Sequence, residues 1–319
     1  MAMRVYYCGR ASLSSLVCSN ILEDHLLDRD NAPAPCVGMT PILTTPAGSC
    51  LTPANWQEAG VGVASCYLAA LLMKPGFDVL RTLPHLASYV SWEGLLVLNA
   101  SLPPISADGV YTWRSHYDGS RIRHSIDDIL ALIASLQPHM VILPEGMWQK
   151  YNAQVQLLPE TIFPFIPLGE VSESSVISRS HGIYIEFNKK TSSTSTLLEQ
   201  LHQYEDKPYY VAGDLDLPLM AELVKQGVTY VESDRPADDA CHGRVYCGEG
   251  ELAIEQRDLS MQFALIDEHC HCPTCSQQFT RAYLHHLFEQ TPLLCQRLLV
   301  QHNVHYCNTW LTQEAFNKE

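Results

Sequence analysis

Three cysteines lie within six residues of one another, at Cys270, Cys272 and Cys275. At this C-x-C-x-x-C spacing three thiolates can converge on one small, soft cation, and Zn²⁺ takes four ligands in tetrahedral geometry. The fourth ligand must come from further along the chain. The candidate histidines are His285, His286, His302 and His305. A closed set of protein ligands predicts a structural metal ion rather than a catalytic one.

Two predicted helices follow the cysteines and show how a histidine could return to them. Residues 280–290 have helical periodicity, with Tyr283 and Leu287 on one apolar face. Pro292 is expected to begin a second helix. We expect that helix to end near His302, where the chain can turn back onto the thiols.

The chain has 319 residues, of which 46% are hydrophobic and 17% charged, and this composition is typical of a globular protein with a large core. Residues 1–10 lack the apolar run of a signal peptide, and no run approaches the roughly 18 apolar residues of a membrane helix. The other cysteines are scattered, which favours a reducing, cytoplasmic compartment and no membrane contact. A net charge of −15 opposes nonspecific nucleic-acid binding across the whole surface but allows a local basic region. Candidates for phosphate contact are Arg114, Arg121, Arg123, Lys189, Lys190 and Arg281.

Short apolar runs alternate with helical patterns through the middle of the chain. This alternation predicts a mainly parallel sheet, either open or closed into a barrel. The predicted strands are 61–66, 95–98, 140–143, 183–187, 209–212 and 228–231, and the clearest predicted helices are 126–136 and 217–226.

Polar residues lie just past the C-terminal end of three of these predicted strands: Asn99, Glu145 and Glu232. Active sites of α/β barrels assemble at the carboxyl ends of the strands. The three side chains are therefore candidates for a shared site.

The cysteine region resembles the tRNA-guanine transglycosylase (queuine tRNA-ribosyltransferase) family. That family has C-x-C-x-x-C, then S-R-A-Y-x-H-H-L, then a histidine in H-N. Here residues 280–287 read TRAYLHHL, and His302-Asn303 supplies the last element. Residues 108–120 and 206–213 resemble further landmarks of the family, as do Thr40-Pro41 and 74–76. The resemblance implies that His302 is the fourth zinc ligand.

The resemblance also implies a fold and a reaction. The fold is an α/β (β/α)₈ TIM-type barrel with a C-terminal zinc-binding insertion. We divide the chain into a leading segment (1–35), a barrel core (36–265) and a zinc-binding subdomain with closing helices (266–319). The implied reaction exchanges guanine in tRNA for a 7-deazaguanine base through a glycosyl-enzyme intermediate. The implied partners are tRNA, the base, and a second subunit in a homodimer or in a heterodimer with a catalytic homologue.

The family's acidic site residues map onto altered positions. Its nucleophilic aspartate corresponds to Glu232, with Asp234 as a substitute in a shifted register. Its second catalytic aspartate corresponds to Asn99, and a neutral amide cannot act as a general base. Glu145 corresponds to the aspartate that recognises the base edge.

Three functional hypotheses follow from these positions. The first is an active transglycosylase with Glu232 as nucleophile. The second is a non-catalytic member that keeps the fold, the zinc site and a dimer or tRNA surface. The third is an enzyme that acts on a different glycosidic bond.

Overall fold

The computed structural model describes residues 38–171, 181–201, 203–204 and 207–316, so the predicted leading segment lies outside the described residues. The strands in chain order are β1 (Met39–Thr40), β2 (Val63–Tyr67), β3 (Leu95–Asn99), β4 (Val110–Arg114), β5 (Arg121–Ser125), β6 (Met140–Ile142), β7 (Phe163–Pro167), β8 (Gly182–Phe187), β9 (Tyr209–Gly213), β10 (Tyr230–Glu232), β11 (Arg244–Cys247) and β12 (Gly250–Ala253).

Helices alternate with the strands along most of the chain. They are α1 (Pro53–Glu58), α2 (Leu68–Leu71), α3 (Phe77–Leu80), α4 (Leu86–Val90), α5 (Ile126–Leu136), α6 (Met147–Lys150), α7 (Asn152–Val155), α8 (Thr194–Gln200), α9 (Leu217–Lys225), α10 (Arg235–Cys241), α11 (Pro273–Ser276), α12 (Arg281–Gln290) and α13 (Pro292–Phe316). No helix within the described ranges has both the length and the apolar character needed to span a membrane.

Eight parallel strands form the central sheet, in the order β1-β10-β9-β8-β7-β6-β3-β2. The two ends of this order meet through a parallel bridge between Ile42 and Ser65. There the amide of Leu43 donates to the carbonyl oxygen of Ser65 at 2.8 Å. The sheet is therefore closed into a barrel, and the predicted (β/α)₈ TIM-type fold is confirmed.

Aromatic side chains from neighbouring strands fill the inside of the barrel. Phe165 lies 5.3 Å from Tyr210 and 5.7 Å from Tyr230, measured between ring centroids. Tyr184 and Tyr210 lie side by side on paired strands at 6.2 Å. Because side chains alternate across each strand, the same strands send their other residues outward to pack against the helices.

Several local predictions are confirmed by the observed elements. The predicted helix 126–136 matches α5, whose N-terminus is closed by a reciprocal capping box between Ser125 and Asp128. The six predicted strands correspond to β2, β3, β6, β8, β9 and β10 with small shifts at their ends.

Two features differ from the sequence-based expectation. The strand β7, with the sequence FPFIP, is absent from the prediction because two prolines argue against a central strand. The prediction that the last helix ends at His302 is wrong, since α13 continues to Phe316. No glycine or proline follows Pro292 to end the helix. The side chains of Asn303 and Asn308 form tertiary hydrogen bonds and do not cap it.

A β-hairpin interrupts the connection between β3 and α5. Its strands β4 and β5 pair antiparallel, with Arg114 opposite Arg121 and Thr112 opposite Arg123. The chain enters the hairpin after Asn99, the last residue of β3, and leaves it directly into α5. The hairpin therefore stands at the carboxyl-terminal end of the barrel.

Candidate active site and metal centre

Glu232 ends strand β10 at the carboxyl-terminal mouth of the barrel and is fully buried. Both of its carboxylate oxygens receive hydrogen bonds from tyrosine hydroxyls. Tyr67, the last residue of β2, donates to Oε1 at 2.8 Å. Tyr210, on the neighbouring strand β9, donates to Oε2 at 2.7 Å. The carboxylate is thus held by two donors that come from strands on either side of β10.

Burial dominates the acid–base properties of this group. Removal from water raises the pKa of Glu232, while the donors around it oppose that rise by stabilising the charged form. Burial and the nearby carboxylate together raise the pKa of the Tyr67 and Tyr210 hydroxyls far above their usual range. Both tyrosines therefore stay protonated and act as hydrogen-bond donors at physiological pH.

Asn99 completes this cluster from strand β3. Its side-chain amide nitrogen lies 3.5 Å from Oε1 of Glu232, and its carbonyl oxygen accepts from the amide of Ser101 at 3.0 Å. Asn99 is itself buried. The structure thus brings together two of the three strand-end residues that the sequence singles out.

Glu145 lies apart from this cluster, since its side chain is exposed beyond the end of β6. No hydrogen bond or ion pair within the described ranges joins it to Glu232. The turn that carries it is held by buried Glu170, whose carboxylate accepts from the amides of Gly146 and, at 3.1 Å, Gln149. Glu170 therefore fixes the backbone beside Glu145.

Asp234 lies in different surroundings from those of Glu232. Its neighbours are Thr45 and Asp238, and burial raises its pKa to about 6. Its Oδ1 atom is buried and has no hydrogen-bond partner among the described residues. The tyrosine cluster is therefore assembled on Glu232 and not on Asp234.

A second cluster is formed by Cys270, Cys272, Cys275 and His302, whose donor atoms all lie within 4.8 Å of one another. The Nδ1 atom of His302 is 3.6, 3.4 and 3.4 Å from the three sulfurs in chain order. Tetrahedral coordination with a metal–sulfur bond of about 2.3 Å and a metal–nitrogen bond of about 2.0 Å separates these donors by about 3.5 Å. The four residues therefore fit one tetrahedral metal ion.

The orientation of His302 supports this arrangement. Its Nε2 atom lies 2.7 Å from the carbonyl oxygen of Tyr246 on β11 and donates a hydrogen bond to it. This contact leaves the Nδ1 lone pair free to face the sulfurs, as a metal-bound histidine requires. Amide hydrogens of Cys272 and Cys275 point at the sulfurs of Cys270 and Cys272. A buried cluster that could bind a metal is therefore present where the cysteine spacing predicts one.

Comparison with known proteins identifies the family to which this barrel belongs. Residues 185–314 match the family model described as queuine tRNA-ribosyltransferase. A queuine tRNA-ribosyltransferase of Clostridium acetobutylicum is 35% identical over 292 residues, covering 75% of this chain and 76% of that protein. One from Thermotoga petrophila is 26% identical over 307 residues, covering 83% of this chain and 82% of that protein.

The chain belongs to the queuine tRNA-ribosyltransferase family. The resemblance stated from the sequence motifs is confirmed. Within this family member, the tyrosines around Glu232 are the residues that sequence reasoning missed. The alternation of side chains along β2 and β9 could have suggested which of their residues face the barrel interior, but not that these would meet Glu232.

One further buried carboxylate links the two clusters of this family member. Asp239 on α10 accepts hydrogen bonds from Arg235, from Arg244 and, at 2.8 Å, from the Tyr246 hydroxyl. Burial alone would raise the pKa of Asp239, but the bonds from Arg244 and Tyr246 hold it below its usual range. Because α10 begins three residues after Glu232 and the carbonyl of Tyr246 contacts His302, Asp239 connects the end of β10 to the metal cluster.

Proposed function

We propose that this chain exchanges guanine in tRNA for a 7-deazaguanine base, with Glu232 as the nucleophile. The observation that carries the proposal is the buried carboxylate of Glu232, held on both oxygens by Tyr67 and Tyr210 at the mouth of a family barrel. A carboxylate in this position can attack the anomeric carbon of a ribose and form a glycosyl-enzyme. The incoming base then displaces the carboxylate and restores the glycosidic bond.

The two tyrosines have a defined part in this scheme. Their hydroxyls fix the carboxylate oxygens before attack and stabilise the carboxylate again when it leaves. Because Glu232 has no exposed surface, the partly exposed Tyr67 moves aside when ribose enters. Tyr210 is fully buried and keeps its hydrogen bond to Oε2.

Proton transfer is compatible with an amide at position 99. The departing guanine gains a proton at the nitrogen that leaves the ribose, and the incoming base loses one from the equivalent nitrogen. In this scheme solvent supplies the proton to the departing guanine and takes up the proton that the incoming base loses, so the two transfers cancel over the whole exchange. Asn99 donates a hydrogen bond in the cluster, while Glu145 at the end of β6 is proposed to accept hydrogen bonds from the base edge.

We propose Zn²⁺ as the metal of the cysteine–histidine cluster, with a structural role in a subdomain formed by 266–319. Three thiolates and one imidazole are a ligand set that Zn²⁺ prefers. Bound zinc would join the loop of Cys270 to α13 through His302. The four protein ligands would fill all four positions of a tetrahedral Zn²⁺ ion and leave no position for a water molecule. We therefore propose that the metal takes no part in the exchange.

A second candidate function is that of a non-catalytic partner subunit that pairs with a catalytic homologue. It is favoured by the complete enclosure of Glu232 and by the amide at position 99. Either role is compatible with a dimer formed around the metal cluster. Large apolar side chains are exposed in that region, at Met261, Phe263, Tyr283, Leu293 and Leu294.

An exchange assay tests the proposal and separates the two candidates. The purified protein is incubated with tRNA and labelled guanine or queuine, alone and with a catalytic homologue. Incorporation by the protein alone that disappears in Glu232→Gln supports the enzyme. Incorporation that needs the homologue, and is the same with Glu232→Gln, supports the partner subunit.

A further inference from the structure

The hairpin formed by β4 and β5 has two chemically different faces. Tyr111 is fully buried and faces the core, as expected for alternating side chains. The other face carries Arg114, Arg121 and Arg123, and all three arginines are exposed. Since Arg114 is directly opposite Arg121 and Arg123 is two residues along the same strand, the three guanidinium groups share one surface. We call this surface the arginine face.

The arginine face is not neutralised by neighbouring acids. No ion pair involving its three arginines occurs within the described residues, and the one hydrogen bond is from Arg114 to the carbonyl of Gly119. The carboxylate at the hairpin tip, Asp118, is turned onto the amide and hydroxyl of Ser120. In a chain of net charge −15, three unpaired arginines on one face mark a local positive surface.

Two of the three other basic candidates from the sequence are already engaged in contacts within the protein. Lys189 forms an ion pair with Asp216 at 2.6 Å. Arg281 donates to the backbone carbonyls of Leu265 and Ile266 and to the side chain of Gln262. These two residues support local structure, so the hairpin arginines remain the stronger candidates for an external anion.

The position and the aromatic surroundings of the hairpin indicate which anion it binds. It stands at the barrel end that carries Glu232 and packs against the segment after β2, where Phe77 stacks on His124 at 4.5 Å between ring centroids. At its tip, Tyr117 is 62% exposed and lies under the ammonium of Lys74. An exposed aromatic ring beside a cation suits nucleic acid, because a base can stack on the ring while a phosphate binds the cation.

We propose that the arginine face binds the phosphate backbone of tRNA and guides the substrate nucleotide to the barrel mouth. This inference rests on the proposed function and adds the surface through which the substrate is held. Arginine is suited to this role because its planar guanidinium can form paired hydrogen bonds with phosphate oxygens.

Salt-dependent tRNA binding tests this assignment. Binding of a fluorescent tRNA transcript is measured by anisotropy between about 50 and about 200 mM KCl, where phosphate contacts dominate the salt dependence. For Arg121→Gln/Arg123→Gln we expect affinity at low salt to fall at least about fivefold, and the slope of log K against log[KCl] to shrink by about 2. The variant Arg121→Lys/Arg123→Lys should keep the wild-type slope.

A matched control removes the same charge elsewhere. Lys225 ends α9 at the opposite end of the barrel, and Arg257 is exposed in the segment before the cysteines. We expect Lys225→Gln/Arg257→Gln to bind with the wild-type slope. Thermal melts of all variants confirm that these exposed substitutions leave the fold intact.

The outcomes separate this inference from the proposed function. Suppose that the wild-type protein binds tRNA and that Arg121→Gln/Arg123→Gln keeps the full slope of log K against log[KCl]. The arginine face then does not bind tRNA, and the proposed function stands. If the wild-type protein does not bind tRNA even at low salt, the proposed function falls together with the inference. Arginine-dependent binding to phosphatidylserine vesicles, with tRNA binding unaffected, would also overturn the inference.

Discussion

Tyr210 donates its hydroxyl hydrogen to Oε2 of Glu232 at 2.7 Å from the adjacent strand of the barrel, and both side chains are fully buried. Burial raises the pKa of the Glu232 carboxyl group, and the hydrogen bond from Tyr210 opposes that rise. This contact is one of several that limit the rise in the pKa of Glu232 caused by burial, and so it helps to set the pH range in which Glu232 carries its charge. The reactivity proposed for Glu232 depends on that charge.

Removing the Tyr210 hydroxyl is expected to displace the pH profile of base exchange. Glu232 acts as nucleophile only when ionised, so activity falls as pH drops through its raised pKa. Tyr210→Phe removes a donor to the charged form, so the acidic limb should move upward by about one pH unit. The measurement is the initial rate of exchange against pH, with Tyr209→Phe, a tyrosine on the same strand that does not contact Glu232, as control. If the acidic limb of the Tyr210→Phe profile stayed at the same pH or moved to a lower pH, Tyr210 would not be stabilising the charged form of Glu232.

The same raised pKa predicts how stability varies with pH. A carboxyl group whose pKa is higher in the folded than in the unfolded state stabilises the fold below its unfolded pKa. That contribution is lost as pH rises through the folded pKa. Glu232→Gln cannot ionise, so its free energy of unfolding should equal or exceed that of the wild type at pH 8, with a smaller difference at pH 5. Urea unfolding at the two pH values measures this, and a variant much less stable at pH 8 would refute it.

Asp239 is expected to stabilise the link between α10 and β11. Asp239→Ala leaves two arginines and the Tyr246 hydroxyl without their shared acceptor, and we expect a loss of about 3 kcal/mol in the free energy of unfolding. Asp214 offers a matched control, since it pairs with the same Arg235 at 3.0 Å but is more than half exposed. Asp214→Ala should cost less than about 1 kcal/mol. Equal losses in the two variants would contradict the importance of burial.

The pH dependence of the Asp239 contribution has the opposite sign to that of Glu232. The pKa of Asp239 is held below its unfolded value, so its stabilisation is present above that value and is lost as pH falls through the folded pKa. The difference in the free energy of unfolding between wild type and Asp239→Ala should therefore become smaller at acidic pH. Unfolding curves between pH 6 and pH 3 measure this narrowing, and a constant difference would count against it.

Metal content should depend on the cysteines of the cluster and not on other buried cysteines. Cys272→Ser removes one of four donors, and we expect bound zinc to fall to a small fraction of one equivalent, with a loss of stability. Cys307→Ser changes a fully buried cysteine outside the cluster and should keep its zinc. Elemental analysis of the purified proteins gives the result. Full zinc content in Cys272→Ser would show that the ligand assignment is wrong.

The sequence predicts the scaffold better than the surroundings of the site. Cys270, Cys272 and Cys275 are recognisable because metal ligands need particular residue types at particular spacing, whereas the choice of His302 among four candidate histidines comes from the family resemblance. Glu232 and Asn99 are recognisable because they end strands with a clear apolar pattern. The contacts of Glu232 with Tyr67 and Tyr210 cannot be recognised from the sequence. They depend on how the barrel closes and on which residues its closure turns inward. The extension of α13 past His302 likewise depends on tertiary contacts of Asn303 and Asn308.

The most direct test of the proposed chemistry is to trap the covalent intermediate. The protein is incubated with labelled tRNA in the absence of any incoming base and is then denatured. The product is analysed by gel electrophoresis and by mass spectrometry of the peptide that contains Glu232. We predict a denaturation-resistant adduct of protein and tRNA, with the ribose attached to Glu232, and no adduct for Glu232→Gln. An adduct that persists in Glu232→Gln, or its absence in wild-type protein that binds tRNA, would contradict the assignment of Glu232 as nucleophile.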